Sequence, residues 1–448
     1  MCSRCADGTS FGGTQANPMS KPIVPDQPKS GEICVEASQL RPGVHVRLPV
    51  QWMDHQFLFN SFVIANDDQV RQIAAMRLPR IFCDPARCKA PPLPVAAPQA
   101  AEDAAEEARL SALTAQQRAE KQERIAVMNE IRAHLDVTQK HYLTAARSVS
   151  GAIKHFDADP KASVREVVKV SEGSTKLLLT DIDSAIVLIA EKGHSDGFAA
   201  HALSVMTLSL LLGKQARLPA EALHVLGAGA LLHDVGQLAI SSSILRNAGR
   251  NKYEEAAYQA HCQIGHESVR RAGRIAEAML QAILHHHERY DGAGYPDHLQ
   301  GDAIHVAARV IAIANRFDNL VNPIDFRQAV SPSEALSTMW VKEKGAFDPL
   351  LLQLFVRAMG VYPPGTIVRL SDGRIGAVVV SASTSSPLAP QVMVYEPDLP
   401  RSQAIIIDLA REDSIRIDGA LRLQERPAEE LDYLLPRRTL SWFPTGQI

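Results

Sequence analysis

Apolar positions along this chain change their spacing repeatedly, and each change predicts a different kind of element. Between residues 34 and 90 the runs are short: VHVRLPV, FLFNSFVI and RIFCD read as strands and DDQVRQIAAM as a helix, together a small α/β module. KAPPLPVAAPQAA then has the proline and alanine content of a linker. From about 102 to 150 the chain turns to Ala, Glu, Gln, Lys and Arg, with Ile125, Met128, Ile131, Leu135 and Tyr142 at helical spacings. That is one apolar stripe on one long helix. The stripe has two readings: packing on the domain that follows, or a homodimeric coiled coil through residues 102–150.

Residues 151–358 are helical almost throughout, in runs such as HALSVMTLSLLLGKQA, AEALHVLGAGALLHD and VAARVIAIANRF. After Tyr362 the period changes again. PPGTIVRLSDGRIGAVVV holds two β-rich runs joined around Asp372 and Gly373, a hairpin signal, and QVMVYE and AIIIDL offer further strands. The expected organisation is a disordered tail (1–33), a small α/β domain (34–90), a linker and connecting helix (91–150), a helical domain (151–358), a small β appendage (359–420) and a C-terminal tail (421–448). The fold class is mainly α.

Composition narrows the class. A chain of 448 residues exceeds one ordinary core, and 46% apolar with 22% charged residues is the balance of a globular protein. A formal net charge of -3 implies no general attraction to nucleic acid or anionic lipid. No uninterrupted apolar run approaches the roughly 18 residues of a membrane helix. The first thirty residues lack the apolar segment of a signal peptide, so the expected location is the cytoplasm. Six cysteines, with Cys2/Cys5 and Cys83/Cys88 as loose pairs, read as reduced thiols rather than a zinc site.

The residues able to do chemistry lie in the helical region: His201, the pair His233 and Asp234, His261, and the pair His286 and His287. Asp234 follows the apolar run LGAGALL, where a carboxylate is costly unless paired, hydrogen-bonded or bound to a metal. Neighbours on a helix project about 100° apart, so His233 and Asp234 can converge on one point only at a helix end. Each histidine alone has a plain explanation as a packed or solvated residue. His285, His266, His298, His305 and His194 keep that explanation.

The order of His201, His233–Asp234, His261, His286–His287–Glu288 and DGAGYP (291–296) resembles the HD-GYP family, a branch of the HD metal-dependent phosphohydrolases that hydrolyses cyclic di-GMP. The likeness spans about 195–335 and includes LLHDVGQLAISSSIL and AARVIAIANRFDNL. Residues 34–90 look like the small domain that often precedes HD-GYP domains. The resemblance implies a helical HD-type fold and two divalent metal ions, iron or manganese, sharing Asp234. One site would use His201, His233 and the position held by Asn315; the other would use His261, His286 and His287. Metal coordination lowers the pKa of water to about 7, which supplies a nucleophile at neutral pH. The products would be the linear dinucleotide and, with further cleavage, GMP.

His233 and Asp234 would be catalytic, as would Gln237, which would also meet substrate together with Gly294, Tyr295 and Arg327. Gly292 and Gly294 would permit backbone angles closed to other residues, and Tyr295 would shape the pocket or a surface for signalling proteins.

Several positions depart from the family pattern. Gln237 stands where HDxGK has lysine, removing charge from a hydrogen bond to phosphate. Asn315 replaces a ligand aspartate, and its amide can only accept weakly. Gly197, four residues before His201, replaces the carboxylate of trinuclear members. IDFR (324–327) stands for RPYR, keeping Arg327 but placing Ile324 at the first arginine. Two readings follow: a cyclic di-GMP phosphodiesterase of reduced activity, or an impaired module that binds cyclic di-GMP or a protein without turnover. A third, hydrolysis of ordinary nucleotides, is disfavoured by DGAGYP.

Overall fold

A computed structural model describes residues 27–94, 104–178, 197–382, 386–412 and 414–435. Most of the expected N-terminal tail, part of the linker, His194 and the last residues lie outside these. The chain forms two compact units, Met1–Val127 and Met128–Ile448, dividing inside a long helix.

In the first unit, β1 (Ile33–Val35), β2 (His45–Arg47), β3 (Ser61–Val63) and β4 (Ile81–Cys83) form an antiparallel sheet in the order β1-β4-β2-β3. Helix α1 (Asp67–Ala75) starts where the Asn66 side chain accepts the Gln69 N–H at 3.0 Å, with Asp67 and Asp68 in the first turn complementing the helix dipole. Val44, Val46, Leu48, Ile64, Ile73 and Ile81 fill the core.

Helix α2 (Ala104–Lys154) runs through the stretch expected to be one long helix. In the first unit its Lys121 ammonium is buried and donates to the carbonyls of Trp52, His55 (2.8 Å) and Phe57 (2.8 Å). Those three acceptors match the three donors that burial would otherwise strand. In the second unit Met128, Ala146, Val149 and Ile153 are buried, and the last three enter the helical core. Of the stripe itself, Met128 is buried and Tyr142 packs against the helical core.

The helical region comprises α3 (Pro160–Leu178), α4 (Gly197–Gln215), α5 (Ala220–Leu232), α6 (Ser242–Arg246), α7 (Lys252–Gln259), α8 (His261–Arg271), α9 (Glu277–His285), α10 (Val306–Val321), α11 (Pro332–Ser337) and α12 (Pro349–Met359), and all but α6 and α7 supply its buried core. By length and composition α4 could cross a membrane, but 83% of its apolar window is buried inside the fold. It is the central helix, apolar all round. Its buried Ser204 and Thr207 hydroxyls donate back to the carbonyls of Ala200 and Leu203, both at 2.8 Å, which satisfies them within the helix.

Five strands follow: β5 (Ile367–Leu370), β6 (Ile375–Val380), β7 (Gln391–Val394), β8 (Ile406–Asp408) and β9 (Ile417–Ala420), in the order β8-β7-β6-β5-β9. The predicted hairpin joins β5 and β6, with Gly373 at φ 86, where L side chains are strained. Folded chain continues past residue 420 as α13 (Ala428–Leu434), which buries Leu434.

Candidate metal centre

Three helix ends, those of α5, α8 and α9, and residues inside α4 and α10 assemble the centre. Helix α5 ends at Leu232; His233 keeps helical angles, whereas Asp234 turns to φ -100, ψ 6. That break removes the 100° offset that separates neighbours on a regular helix. Gly236 lets the turn press on the start of α8, because a Cβ there would stand 2.0 Å from the His261 carbonyl oxygen.

The tautomers are set by the backbone. Nδ1 of His233 lies 2.7 Å from the Ala230 carbonyl, Nδ1 of His261 2.6 Å from that of Tyr258, and Nδ1 of His286 2.8 Å from that of Ile283. A carbonyl only accepts, so each Nδ1 carries a hydrogen and Nε2 is the nitrogen each ring turns inward. His201 is oriented instead by Asp318, whose Oδ2 accepts from Nδ1 at 2.7 Å, while Asp318 Oδ1 accepts from Asn322 at 2.9 Å.

All these Nε2 atoms meet at Asp234. Its Oδ2 lies 3.5 Å from His201 Nε2 and 3.2 Å from His233 Nε2; its Oδ1 lies 3.3 Å from His261 Nε2 and 3.4 Å from His286 Nε2. Ligand-capable atoms form two groups that share this carboxylate: His201, His233 and Asp234, and Asp234, His261, His286 and His287. Nε2 of His233, Nε2 of His287 and Oδ1 of Asp234 are buried without a hydrogen-bond partner among the described residues. Lone pairs packed this way, around a single negative charge, fit cations, and imidazole with carboxylate is a donor set for first-row divalent metals.

Electrostatics agree. Burial opposes charge on His261, yet Asp234 outweighs it and pushes that imidazole up to about 10. Burial holds His286 down at about 4 despite Asp234, and burial with the charges of His286 and His261 holds His287 well below its ordinary value. Asp234 sits well below the usual carboxylate range: burial alone would raise it, but the facing imidazoles of His233, His201 and His261 prevail. Without metal, protons supply the positive charge, with His261 Nε2 3.3 Å from His286 Nε2.

The DGAGYP loop is braced against this centre. Buried Glu288 accepts the backbone N–H groups of Asp297 (2.7 Å) and Leu299 (3.1 Å), and Tyr295 stacks on His287 with centroids 4.7 Å apart and planes 20° apart. Gly292 has φ 81, as expected of a turn glycine. Gly294 is needed for a different reason: a Cβ would lie 2.2 Å from Arg289 N and 2.5 Å from Glu288 Cα. Close approach, rather than an unusual angle, requires glycine there. His285 is buried and bonds Asp297 at 2.9 Å.

Three further predicted residues surround or flank the centre differently. Asn315 is buried on α10, but its amide oxygen accepts from Asn319 at 2.7 Å. Gln237 is half-buried on the turn after Asp234, with its backbone N–H on the Asp234 carbonyl at 2.8 Å. Arg327 is not brought to the cluster: its side chain is 88% exposed and held by Asp325 at 2.9 Å, an acceptor that the IDFR sequence itself supplies. Sequence reasoning missed Asp318 and the bracing by Glu288. Asp318 lay in view, a carboxylate in the apolar helix AIANRFDNL that has the same need for a partner as Asp234.

A helical domain with a carboxylate shared between two sets of imidazoles defines a metal-dependent phosphohydrolase of the HD class. Residues 186–351 match the model of the HD domain family, and residues 32–167 match a domain of unknown function, DUF3391. The DGAGYP loop lies beside these ligands, within the stretch that matches the HD domain. A cyclic di-GMP phosphodiesterase of Pseudomonas aeruginosa is 26% identical over 92% of this chain and 98% of its own length. A cyclic di-GMP phosphodiesterase response regulator of Xanthomonas campestris is 34% identical over 33% of this chain and 39% of its own length. The 3'3'-cGAMP-specific phosphodiesterase 2 of Vibrio cholerae is 34% identical over 28% of this chain and 24% of its own length. Among solved structures, a protein described as HDG"Y"P from Bdellovibrio bacteriovorus aligns with a TM-score of 0.43 at 15% identity, over 72% of this chain and 98% of that one.

Proposed function

We propose that this protein hydrolyses cyclic di-GMP to the linear dinucleotide, and onward to GMP, with two divalent ions, iron or manganese, at the Asp234 centre. The observation that carries the reading is the division of Asp234, Oδ2 toward His201 and His233 and Oδ1 toward His261 and His286. Bound divalent ions would supply a nucleophile from water at neutral pH and offset charge growing on phosphate oxygens. The chain's own residues do the rest. Asp318 fixes the His201 ring, backbone carbonyls fix three others, and Tyr295 covers His287. Gln237, beside the shared carboxylate, would donate its amide N–H to a phosphate oxygen. The cytoplasm is the proposed location; the outer face of the GYP loop, where Arg289 pairs with Asp291, is the proposed surface for signalling proteins, and residues 102–150 the proposed dimer contact.

A second reading, a binding module without turnover, is favoured by one observation: the Asn315 amide oxygen is engaged by Asn319 rather than offered to the His201–His233 group. Manganese-loaded protein incubated with cyclic di-GMP, 3'3'-cGAMP and a linear mononucleotide, with products separated by chromatography, distinguishes them. Linearisation of cyclic di-GMP ahead of the other two is expected. Binding of cyclic di-GMP with no product, in protein shown to hold two ions, would replace hydrolysis with the second reading.

A further inference from the structure

The N-terminal domain carries a second set of reactive groups. Cys83 ends β4, which lies between β1 and β2, and is fully buried. Cys88 follows a one-turn helix over Pro85–Arg87 and is half-buried. The turn is closed twice, by the Asp84 side chain accepting the Ala86 N–H at 3.0 Å and by the Cys88 N–H donating to the Pro85 carbonyl at 3.3 Å. It sets the two Sγ atoms 3.5 Å apart. A disulfide needs about 2.05 Å, so side-chain rotation with a small shift of the turn brings the sulfurs to bonding distance.

We propose that Cys83 and Cys88 are a redox-active thiol pair, a modification site at which a hydroperoxide converts the two thiols into a disulfide. Their environments assign the roles. Cys88 is reachable from solvent, and its sulfur accepts the His45 backbone N–H at 3.2 Å and donates to the Asp84 carbonyl at 3.3 Å. Cys83 is shielded: burial, then its neighbour Cys88, pushes its thiol up to about 12. Cys88 thiolate attacks the peroxide O–O bond, forming a sulfenic acid while the alkoxide leaves and takes up a proton as alcohol. The Cys83 sulfur then attacks the Cys88 sulfur, losing its proton, and hydroxide departs as water. Two thiols and one hydroperoxide give one disulfide, one alcohol and one water; the thiols lose two electrons and the peroxide gains them.

The pair adjoins the segment by which the chain leaves the domain. The N–H groups of Lys89 and Ala90 both bond the Gly43 carbonyl, at 2.7 and 3.1 Å. Drawing Cys88 toward Cys83 acts on that anchor.

Peptide mapping of the full-length protein tests the proposal. Trypsin cuts after Arg80, Arg87 and Lys89, so residues 81–87 and 88–89 separate in reduced protein. After reduction, desalting and treatment with hydrogen peroxide at low molar ratio, the two peptides should stay joined, lighter by two hydrogens than their sum, and part again on adding dithiothreitol. Cys83→Ser should instead leave Cys88 as a sulfenic acid trapped by a dimedone reagent, and Cys88→Ser should leave Cys83 unreacted. The proposal is overturned if Cys88 in unmutated protein proceeds to sulfinic acid without joining, or if Cys34 or Cys262 reacts first. The unmutated protein alone decides between these outcomes, whatever the variants do to folding.

Discussion

Replacing Asp318 by Asn removes one negative charge and nothing else of comparable size. The Asp318 carboxylate is fully buried and accepts the His201 Nδ1–H at 2.7 Å while Asn322 donates to its other oxygen at 2.9 Å. An amide of the same shape can keep one of these contacts, but the bond to His201 loses its charge assistance. A charged hydrogen bond contributes about 1.5–3 kcal/mol against about 0.5–1.5 for a neutral one, and loss of an outer-sphere partner lowers metal affinity about 10–100-fold. The loss should fall on one ion only, since His201 belongs to the group with His233 and not to that of His261, His286 and His287. Titration of metal-free protein with manganese, followed by calorimetry, should therefore resolve two events in the parent protein. In Asp318→Asn the weaker event should shift by about 10–100-fold and the stronger should stay within a few-fold. Equal shifts in both events, or none, would refute the idea that Asp318 acts through His201 on one half of a divided centre.

Restoring charge should raise turnover: Asn315→Asp and Gln237→Lys each exchange a neutral contact for a charged one worth about 1 kcal/mol more, so kcat/KM with manganese should climb roughly five- to tenfold per substitution. Metal binding should be pH-dependent, because His261, raised to about 10, holds a proton at neutral pH that a cation must displace. Apparent affinity should grow by about tenfold per pH unit per proton released up to that value, and proton release into weakly buffered solution measures it directly. Gly294→Ala forces a methyl to within 2.2 Å of the Arg289 nitrogen, which should destabilise the loop by about 1–3 kcal/mol. Hydrogen exchange at Tyr295 should then rise; unchanged protection would count against close packing as the reason for glycine.

Much of the centre was legible because its chemistry is costly anywhere else. Asp234 after LGAGALL and the histidines of three helix ends had few structural uses for which sequence offered partners. The long helix and the hairpin at Gly373 were legible for a different reason, since period and turn chemistry act locally. What escaped was tertiary. Strands of three residues, such as His45–Arg47, are too short to display a period of two, so only their neighbourhood could be placed. Asp318 escaped because its partner is 117 residues away. The requirement at Gly294 was misassigned because sequence does not reveal which backbone lies against a Cα, and the pairing of Arg327 with Asp325 was not foreseen.

Anomalous diffraction from crystals of the manganese-loaded protein bears on the central claim most directly. The account predicts two ions flanking Asp234, one against His201 and His233 and the other against His261, His286 and His287. A single ion at saturating manganese, or ions placed away from Asp234, would contradict it.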